Sequence, residues 1–252
     1  MKELLLCPDC GTPIQCRVKL AGVERTVPCL CNCQQRKRQN ERDQLREYQK
    51  QLDVRRLKTE GLQDRLLREC SFEKARPTPY LERAQRYVRN WKEVQKKNHG
   101  LLFWGAVGTG KSYLAACIAN ALMEQSVPVL MTSLPKLLNQ MGGMYPQERC
   151  RYLSSISKYQ LLILDDFGIE RSTEYALEQI FLIVDERYKA KQPLILTTNL
   201  TLKDFQNPPD AAKARIYSRI LEMCVPFRFE GVDRRLEVAN GKLHAVKKAI
   251  NP

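Results

Sequence analysis

The segment at residues 105–112 has residue types and spacing that could bind phosphate groups. It reads Gly-Ala-Val-Gly-Thr-Gly-Lys-Ser and fits the P-loop pattern G-x-x-x-x-G-K-[ST]. Its glycines allow consecutive backbone N–H groups to surround phosphate oxygens, since no Cβ stands in the way. Lys111 would place its ammonium on the β- and γ-phosphates, and Ser112 would offer its hydroxyl to Mg²⁺. The segment therefore predicts a site for a nucleoside triphosphate with magnesium. The candidate binding residues are Gly105, Val107, Gly108, Thr109, Gly110, Lys111 and Ser112.

Three further polar residues follow apolar runs, at the points where buried strands would end. Residues 161–164 are continuously apolar, as in a strand covered on both faces, and Asp165 and Asp166 come next. Asp165 could hold the magnesium ion, and Asp166 could orient and deprotonate an attacking water. Residues 194–198, Leu-Ile-Leu-Thr-Thr, form the next segment typical of a buried strand. They precede Asn199, whose amide could hydrogen-bond both the γ-phosphate and the attacking water. Ordinary turns built with an acidic residue or an asparagine are the alternative interpretation.

From residue 71 onward the apolar pattern alternates between strand-like and helix-like segments. Strands are predicted at residues 101–104, 127–132, 161–165 and 194–198, and helices at residues 80–94, 111–123, 134–140 and 175–190. Strands that alternate with helices predict an α/β fold with a doubly wound parallel sheet. Ligands of such sheets bind beyond the carboxyl ends of the strands, where the P-loop segment and the acidic pair both lie.

Six cysteines within residues 7–33 indicate a metal site. Cys7 and Cys10 lie in the turn Cys-Pro-Asp-Cys-Gly, which allows two thiolates to share one ion. Zinc takes four ligands in a tetrahedron, so the other two would come from the Cys-x-Cys-x-Cys segment at residues 29–33, with Cys16 less favoured. An iron–sulfur cluster is the alternative, although its usual spacing is absent. The metal would supply most of the folding free energy of so short a stretch.

Three zones are predicted along the chain. We expect a small zinc-binding module at residues 1–33, a charged helical linker at residues 34–70 and a nucleotide-binding domain at residues 71–252. The linker is rich in charged residues and has no proline, which favours helix. One face of that helix carries three apolar side chains, Leu45, Tyr48 and Leu52. This face suits a partner protein, and a solvated helix is the alternative.

Composition and charge restrict the class of protein. The net charge of +14 favours a polyanionic partner, with nucleic acid first and a basic surface without such a partner as the alternative. No apolar run reaches the roughly 18 residues of a membrane span, so we expect no membrane partner. The apolar run at the start of the sequence is too short for a signal peptide. Cysteines crowded into one zone indicate a metal site in a cytoplasmic protein rather than a disulfide framework.

The motifs together resemble those of a known family. The P-loop segment, Leu-Leu-Ile-Leu-Asp-Asp-Phe-Gly at residues 161–168 and Thr-Thr-Asn-Leu at residues 197–200, in this order, resemble the AAA+ ATPases. The chain more closely resembles replicative helicase loaders of the DnaC/DnaI type and their relatives, the IstB transposition helpers, over residues 71–240. This resemblance implies an ATPase that uses ATP and Mg²⁺. Slow, switch-like hydrolysis is expected, because Asp166 stands where many AAA+ proteins carry the longer glutamate.

The resemblance also implies catalytic roles. Asp165 would take the magnesium position, Asp166 the catalytic-acid position and Asn199 the position that senses the γ-phosphate. Arg219 would be the arginine finger that reaches the nucleotide of a neighbouring subunit, so self-association through the ATPase domain is expected. Arg235 would be a second sensor. The competing choices for these two arginines are Arg215 and Arg234.

Two further sets of residues follow from the same resemblance. In the cysteine zone it favours zinc ligation by Cys7, Cys10, Cys31 and Cys33, with Cys29 as the substitute. Thr173 and Tyr175 match positions where these loaders touch single-stranded DNA, and Tyr145 is a weaker candidate. A tyrosine ring can stack on a base with little sequence preference. Packing of Tyr175 on the protein core is the alternative.

The favoured hypothesis is an ATP-dependent loader that binds a replicative DNA helicase and single-stranded DNA. A transposition helper of the IstB kind, which would bind duplex DNA and a transposase, is the first alternative. A P-loop kinase for a small molecule is the second. The cysteine zone favours the loader over the helper, and Asn199 with the arginines at 219 and 235 fits AAA+ chemistry better than kinase chemistry.

Overall fold

The computed structural model describes residues 5–20, 22–169 and 173–236, together with the single positions 239, 246 and 250. The last part of the predicted nucleotide-binding domain, beyond residue 236, therefore lies almost entirely outside the described residues. The chain divides into two units, residues 1–53 and residues 54–252. None of the helices formed by the described residues has the length and apolar character needed to cross a membrane.

The first unit contains a hairpin and the greater part of a long helix. Strands β1 (Gln15–Leu20) and β2 (Val23–Pro28) pair antiparallel, and a bridge joins Leu6 to Pro13. Helix α1 (Asn32–Gly61) follows and continues into the second unit. Its side chains are almost all exposed as far as residue 53, which agrees with its highly charged sequence.

The second unit alternates helices with strands. Its further helices are α2 (Arg65–Arg68), α3 (Pro79–Arg89), α4 (Trp91–Lys96), α5 (Lys111–Glu124), α6 (Leu134–Gly142), α7 (Pro146–Ile156), α8 (Glu174–Lys189), α9 (Leu202–Gln206) and α10 (Ala211–Met223). Its strands are β3 (Gly100–Gly105), β4 (Val129–Ser133), β5 (Leu161–Phe167), β6 (Leu194–Thr198) and β7 (Cys224–Phe229).

The five strands form one parallel sheet in the order β4-β5-β6-β3-β7. Alternate residues of each central strand point to opposite faces, and both faces are covered. Leu101, Phe103 and Ile163 lie in the core layer that includes α3 and α5, whereas Leu102 and Leu164 lie in the layer that includes α6, α8 and α10. Burial on both faces explains the continuous apolar runs. The predicted α/β fold with a doubly wound parallel sheet is therefore confirmed.

Several elements differ from the sequence-based prediction. The single helix expected at residues 80–94 is divided into α3 and α4 at Asn90, which has non-helical backbone angles. The edge strand β7 was not predicted; it contains Pro226 and exposes Val225, so its apolar pattern is weak. The hairpin β1–β2 and the helices α7, α9 and α10 were also not predicted.

The end of α1 is anchored on the edge of the sheet. Leu62 is fully buried and forms a parallel bridge with Met131 of β4. Gly61 approaches the same strand so closely that a Cβ at this position would lie 2.0 Å from the carbonyl oxygen of Val129 and 2.6 Å from Cε of Met123. A residue without a side chain is thus required where the helix reaches β4.

Candidate functional site

The P-loop connects the end of β3 to the start of α5. Gly105 has φ +139°, and a Cβ there would lie 2.1 Å from the carbonyl oxygen of Phe229. Gly110 is the N-cap of α5 and has φ +97° in the left-handed region. Thr109 is buried and turns its hydroxyl back to the carbonyl oxygen of Ala106, at 2.9 Å. The N-terminal end of a 14-residue helix, which favours anions, thus begins at Lys111 beside the loop.

Lys111 links the P-loop to the end of β6. Its Nζ donates to the carbonyl oxygens of Gly105 at 2.8 Å and Ala106 at 2.7 Å, and to Oδ1 of Asn199 at 2.9 Å. Burial lowers the pKa of its ammonium, and the carboxylates of Asp166 and Asp165 partly oppose that shift. The structure therefore brings together the two predicted residues Lys111 and Asn199 from distant parts of the sequence.

The acidic pair lies at the carboxyl end of β5, beside β6. The hydroxyl of Thr197 donates to Oδ1 of Asp165 at 2.6 Å and accepts the backbone N–H of Asp166 at 3.0 Å. Burial raises the pKa of the Asp166 carboxyl, and the neighbouring Asp165 raises it further, whereas Arg235 and Lys111 act in the opposite direction. Asp166 is thus a partly desolvated carboxylate close to cationic side chains.

A cavity of about 610 Å³ lies between the P-loop, Asp166 and Asn199. Among its lining residues are Val107, Gly108, Gly110, Lys111, Ser112, Asp166, Asn199, Arg234 and Arg235. Gly105, Thr109, Asp165 and Arg219 are predicted site residues that are not among those lining it. Lys74 and Arg76 also line the cavity. No motif identified these two, because they precede α3 and reach the P-loop only through the tertiary fold.

Both candidates for the second sensor line the cavity, and Arg234 also contacts the P-loop. The backbone N–H of Arg234 donates to the carbonyl oxygen of Gly108 at 3.1 Å. Its Nη1 lies 3.2 Å from the position that a Cβ on Gly110 would occupy. Arg235 is near enough to Asp166 to oppose the rise in the pKa of that carboxyl. The cavity therefore gathers more positive than negative side chains, which suits a polyphosphate ligand.

The structure places Arg219 apart from this cavity. Arg219 Nη2 lies 2.8 Å from Asp185 Oδ1, and the guanidinium lies over the ring of Phe181 at 4.5 Å. Asp185 also pairs with Lys189. Arg215, one turn earlier on α10, is exposed. An arginine finger at position 219 would have to leave its ion pair with Asp185, whereas one at position 215 would not.

The residues predicted to contact DNA lie near the start of α8. Thr173 is the N-cap of this helix, and its hydroxyl accepts the N–H of Ala176 at 3.2 Å. Tyr175 is 37% exposed, and the guanidinium of Arg149 lies 5.2 Å from the centre of its ring. Tyr145, which precedes α7, is 78% exposed. An aromatic ring beside a guanidinium offers both a stacking surface and a positive charge. Arg149 belongs to no sequence motif, and only the fold brings it from α7 to Tyr175 on α8.

The cysteine zone brings four thiols to one point. The Sγ atoms of Cys7, Cys10, Cys31 and Cys33 all lie within 4.8 Å of one another. A tetrahedral zinc site with Zn–S bonds of about 2.3 Å needs sulfur–sulfur separations of about 3.8 Å, so this donor set fits zinc. Hydrogen bonds from Thr12 lower the pKa of the Cys10 thiol to about 5. Cys16 and Cys29 do not belong to this four-thiol group.

The parallel sheet, the P-loop and the polar residues at the strand ends define a P-loop nucleotide-binding domain of the AAA+ class. The chain belongs to the IstB-like ATP binding protein family, whose model matches residues 34–237.

Relatives with known names support the loader resemblance. The replicative helicase loader DnaI of Bacillus subtilis (strain 168) is 23% identical over 160 residues, which cover 59% of this chain and 51% of DnaI. The replicative helicase loader DnaC of Escherichia coli (strain K12) is 29% identical over 143 residues, covering 54% of this chain and 57% of DnaC. The chain thus spans about half the length of these relatives. A crystal structure of DnaI superposes with a TM-score of 0.57 at 26% identity, covering 68% of this chain and 93% of that one.

Proposed function

We propose that this protein is an ATP-dependent loader of a replicative DNA helicase. The observation that carries the proposal is the similarity of its nucleotide-binding domain to DnaI and DnaC, both replicative helicase loaders. The family match supports ATP as the nucleotide. The four-thiol group and the exposed helix that follows it supply a separate surface, which we assign to helicase docking.

The nucleotide chemistry would be carried by residues that line the cavity, together with Asp165 next to Asp166. Lys111 would bind the β- and γ-phosphates, and the Ser112 hydroxyl with the Asp165 carboxylate would hold magnesium, which neutralises developing charge on the phosphates. Asp166 would accept a proton from the attacking water, and the Asn199 amide would position that water. Because Lys111, Asn199 and Asp165 are already held by hydrogen bonds within the fold, positioning would be a main contribution of the protein.

Completion of the site would require a second copy of the chain. We assign Arg235 to the γ-phosphate of its own subunit, with Arg234 as its rival on the P-loop. We assign the arginine finger to Arg219, with Arg215 as the exposed competitor on the same helix. This arrangement makes hydrolysis depend on self-association through the nucleotide-binding domain.

Single-stranded DNA would bind at the start of α8. Tyr175 offers a partly exposed ring to a base, and Arg149 above that ring offers a cation to the backbone. Thr173 would support the site by capping the helix that carries Tyr175. A net charge of +14 would strengthen attraction to phosphates, so affinity should fall steeply as salt is raised.

Helicase docking would use the apolar face of α1. Leu45, Tyr48 and Leu52 are 57%, 60% and 45% exposed, although they share one helical face. An amphipathic helix with spaced apolar side chains can bind in a groove of a partner protein. The zinc-stabilised module at its N-terminal end would make this surface rigid at small cost in chain length.

A loading assay with the full chain tests the proposal. The protein should bind a hexameric replicative helicase and, with ATP, promote its transfer to single-stranded DNA. A variant with Leu45, Tyr48 and Leu52 changed to serine should lose helicase binding, whereas the control Gln44→Ser/Gln51→Ser should retain it. If the wild-type chain ignores the helicase and prefers duplex DNA to single strands, the transposition-helper function should replace this one.

A further inference from the structure

The acidic pair Asp165–Asp166 lies in an irregularity of the sheet. Leu164 is paired with Leu196 and Phe167 with Thr198, so the register between β5 and β6 shifts between these pairs. Two residues of β5 therefore face the single residue Thr197 of β6, which is the arrangement of a β-bulge. Bulges change the direction of side chains, and this one determines how the two carboxylates leave the strand.

The backbone at the bulge has an uncommon conformation. Asp166 has φ +53°, in the left-handed region that non-glycine residues seldom adopt. Its N–H lacks a normal ladder position and donates instead to Oγ1 of Thr197 at 3.0 Å. The conformation that sets the place of the predicted catalytic carboxylate is thus held by a side chain of the neighbouring strand.

The same hydroxyl also fixes the carboxylate of Asp165. Thr197 Oγ1 donates to Oδ1 of Asp165 at 2.6 Å, the short distance expected when the acceptor is ionised. A hydroxyl has one proton to donate and lone pairs to accept, and Thr197 uses both. Its side chain is fully buried, so water cannot take over either hydrogen bond.

We propose that Thr197 is a positioning residue for nucleotide hydrolysis, which acts through one hydroxyl by holding the carboxylate of Asp165 and the backbone N–H of Asp166. This inference rests on the proposed ATPase function. Asn199 lies two residues after Thr197 and accepts a hydrogen bond from Lys111. The end of β6 and the residue that follows it therefore hold Asp165 through Thr197 and Lys111 through Asn199.

The substitution Thr197→Val tests this role, because valine has nearly the same shape and no hydroxyl. Titration with a fluorescent ATP analogue would measure nucleotide affinity with and without Mg²⁺. We expect unchanged affinity without the metal. The gain in affinity that Mg²⁺ provides, and the turnover number, should each fall by roughly 10- to 100-fold, as is typical when a residue that orients a metal ligand is lost.

Two further variants separate positioning from structure. Thr197→Ser keeps the hydroxyl and should restore the response to Mg²⁺ and most of the turnover. In an Asp165→Asn background, Thr197→Val should cause no further loss in the response to Mg²⁺, because the carboxylate that it orients is already gone. If Thr197→Val does not fold, the comparison of Thr197→Ser with Thr197→Ala by the same titration decides the question.

Three results would overturn the inference. In the first, the Thr197→Val protein responds to Mg²⁺ and hydrolyses ATP like the wild type. In the second, the Thr197→Ser protein is as impaired as Thr197→Val. In the third, Thr197→Val reduces the response to Mg²⁺ as strongly in the Asp165→Asn background as in the wild type. Absence of ATP hydrolysis in the wild-type chain would instead contradict the proposed function. In that case the magnesium titration alone would still test whether Thr197 holds Asp165.

Discussion

At the scale of single residues, the nucleotide site depends on contacts between side chains that are far apart in the sequence. Lys111 and Asn199 were each identified from a local motif, and the fold joins them by a hydrogen bond. Arg149, Lys74 and Arg76 belong to no recognisable motif, and Thr197 begins the Thr-Thr-Asn-Leu segment, in which only Asn199 was given a role. The signal that could have indicated Thr197 is its place two residues before Asn199, near the carboxyl end of a predicted strand, where ligands of parallel sheets bind.

The arginine finger gives a prediction at this scale. Asp166→Ala and Arg219→Ala should each bind ATP and lose turnover by roughly 10³-fold, as expected for groups that stabilise the transition state. A mixture of the two inactive proteins should recover part of the activity, because one mixed interface retains both groups. A coupled phosphate-release assay would measure this.

The choice between Arg219 and Arg215 follows from the same assay. Arg219 is paired with Asp185, so Asp185→Asn should release the guanidinium of Arg219. Arg215→Ala serves as the matched comparison on the same helix. Each arginine variant would be mixed with Asp166→Ala, and assembly would be matched between the mixtures. If ATP hydrolysis recovers only in the mixture that contains Arg215→Ala, the arginine finger is Arg215 and not Arg219.

At the scale of secondary structure, most of the central elements could be predicted, since strands buried on both faces give continuous apolar runs. Secondary structure was predicted less well where the local apolar pattern does not match the place of the segment in the fold. Strand β7 has a proline and exposed side chains, so only its pairing with β3 makes it a strand. The division of residues 80–94 into α3 and α4 depends on Asn90, whose neighbours have ordinary helical spacing.

The contact between α1 and β4 gives a second prediction. Gly61→Ala would place a methyl group 2.0 Å from the carbonyl oxygen of Val129, so the backbone must move apart. We expect a loss of about 1–3 kcal/mol in the free energy of unfolding, the usual cost of overpacking. The control Gly142→Ala has no described atom within 4 Å of the added methyl and should be neutral or slightly stabilising. Urea denaturation of both variants would compare them.

At the scale of the whole molecule, two units with different sources of stability follow each other in the chain. The second unit has an apolar core on each face of its sheet. The described part of the first unit has few buried apolar side chains, and its buried cysteines Cys7 and Cys31 belong to the four-thiol group. Composition predicted this difference, because the sulfur-rich zone and the apolar runs occupy separate parts of the sequence.

Metal removal gives a prediction for this arrangement. The purified protein should contain one zinc ion per chain, and chelation should expose residues 5–33 to hydrogen exchange while nucleotide binding by the second unit persists. Cys10→Ser should have the same effect as chelation, whereas Cys16→Ser, outside the four-thiol group, should retain the metal. Elemental analysis that shows iron, or no metal, would contradict zinc ligation by these cysteines.

The bridge between Leu62 and Met131 should also protect the sheet from aggregation, because it covers part of an edge strand. Among the described residues, β4 pairs on one side with β5, and Leu62 covers part of its other side. The opposite edge, β7, carries Pro226 and the exposed charge of Arg228, which discourage the addition of a foreign strand. A fragment that begins at residue 71 would lack Leu62 and leave the outer edge of β4 uncovered. A solution of this fragment should aggregate on storage, which an increase in light scattering would show. A fragment that begins at residue 54 keeps Leu62, and its light scattering should not increase.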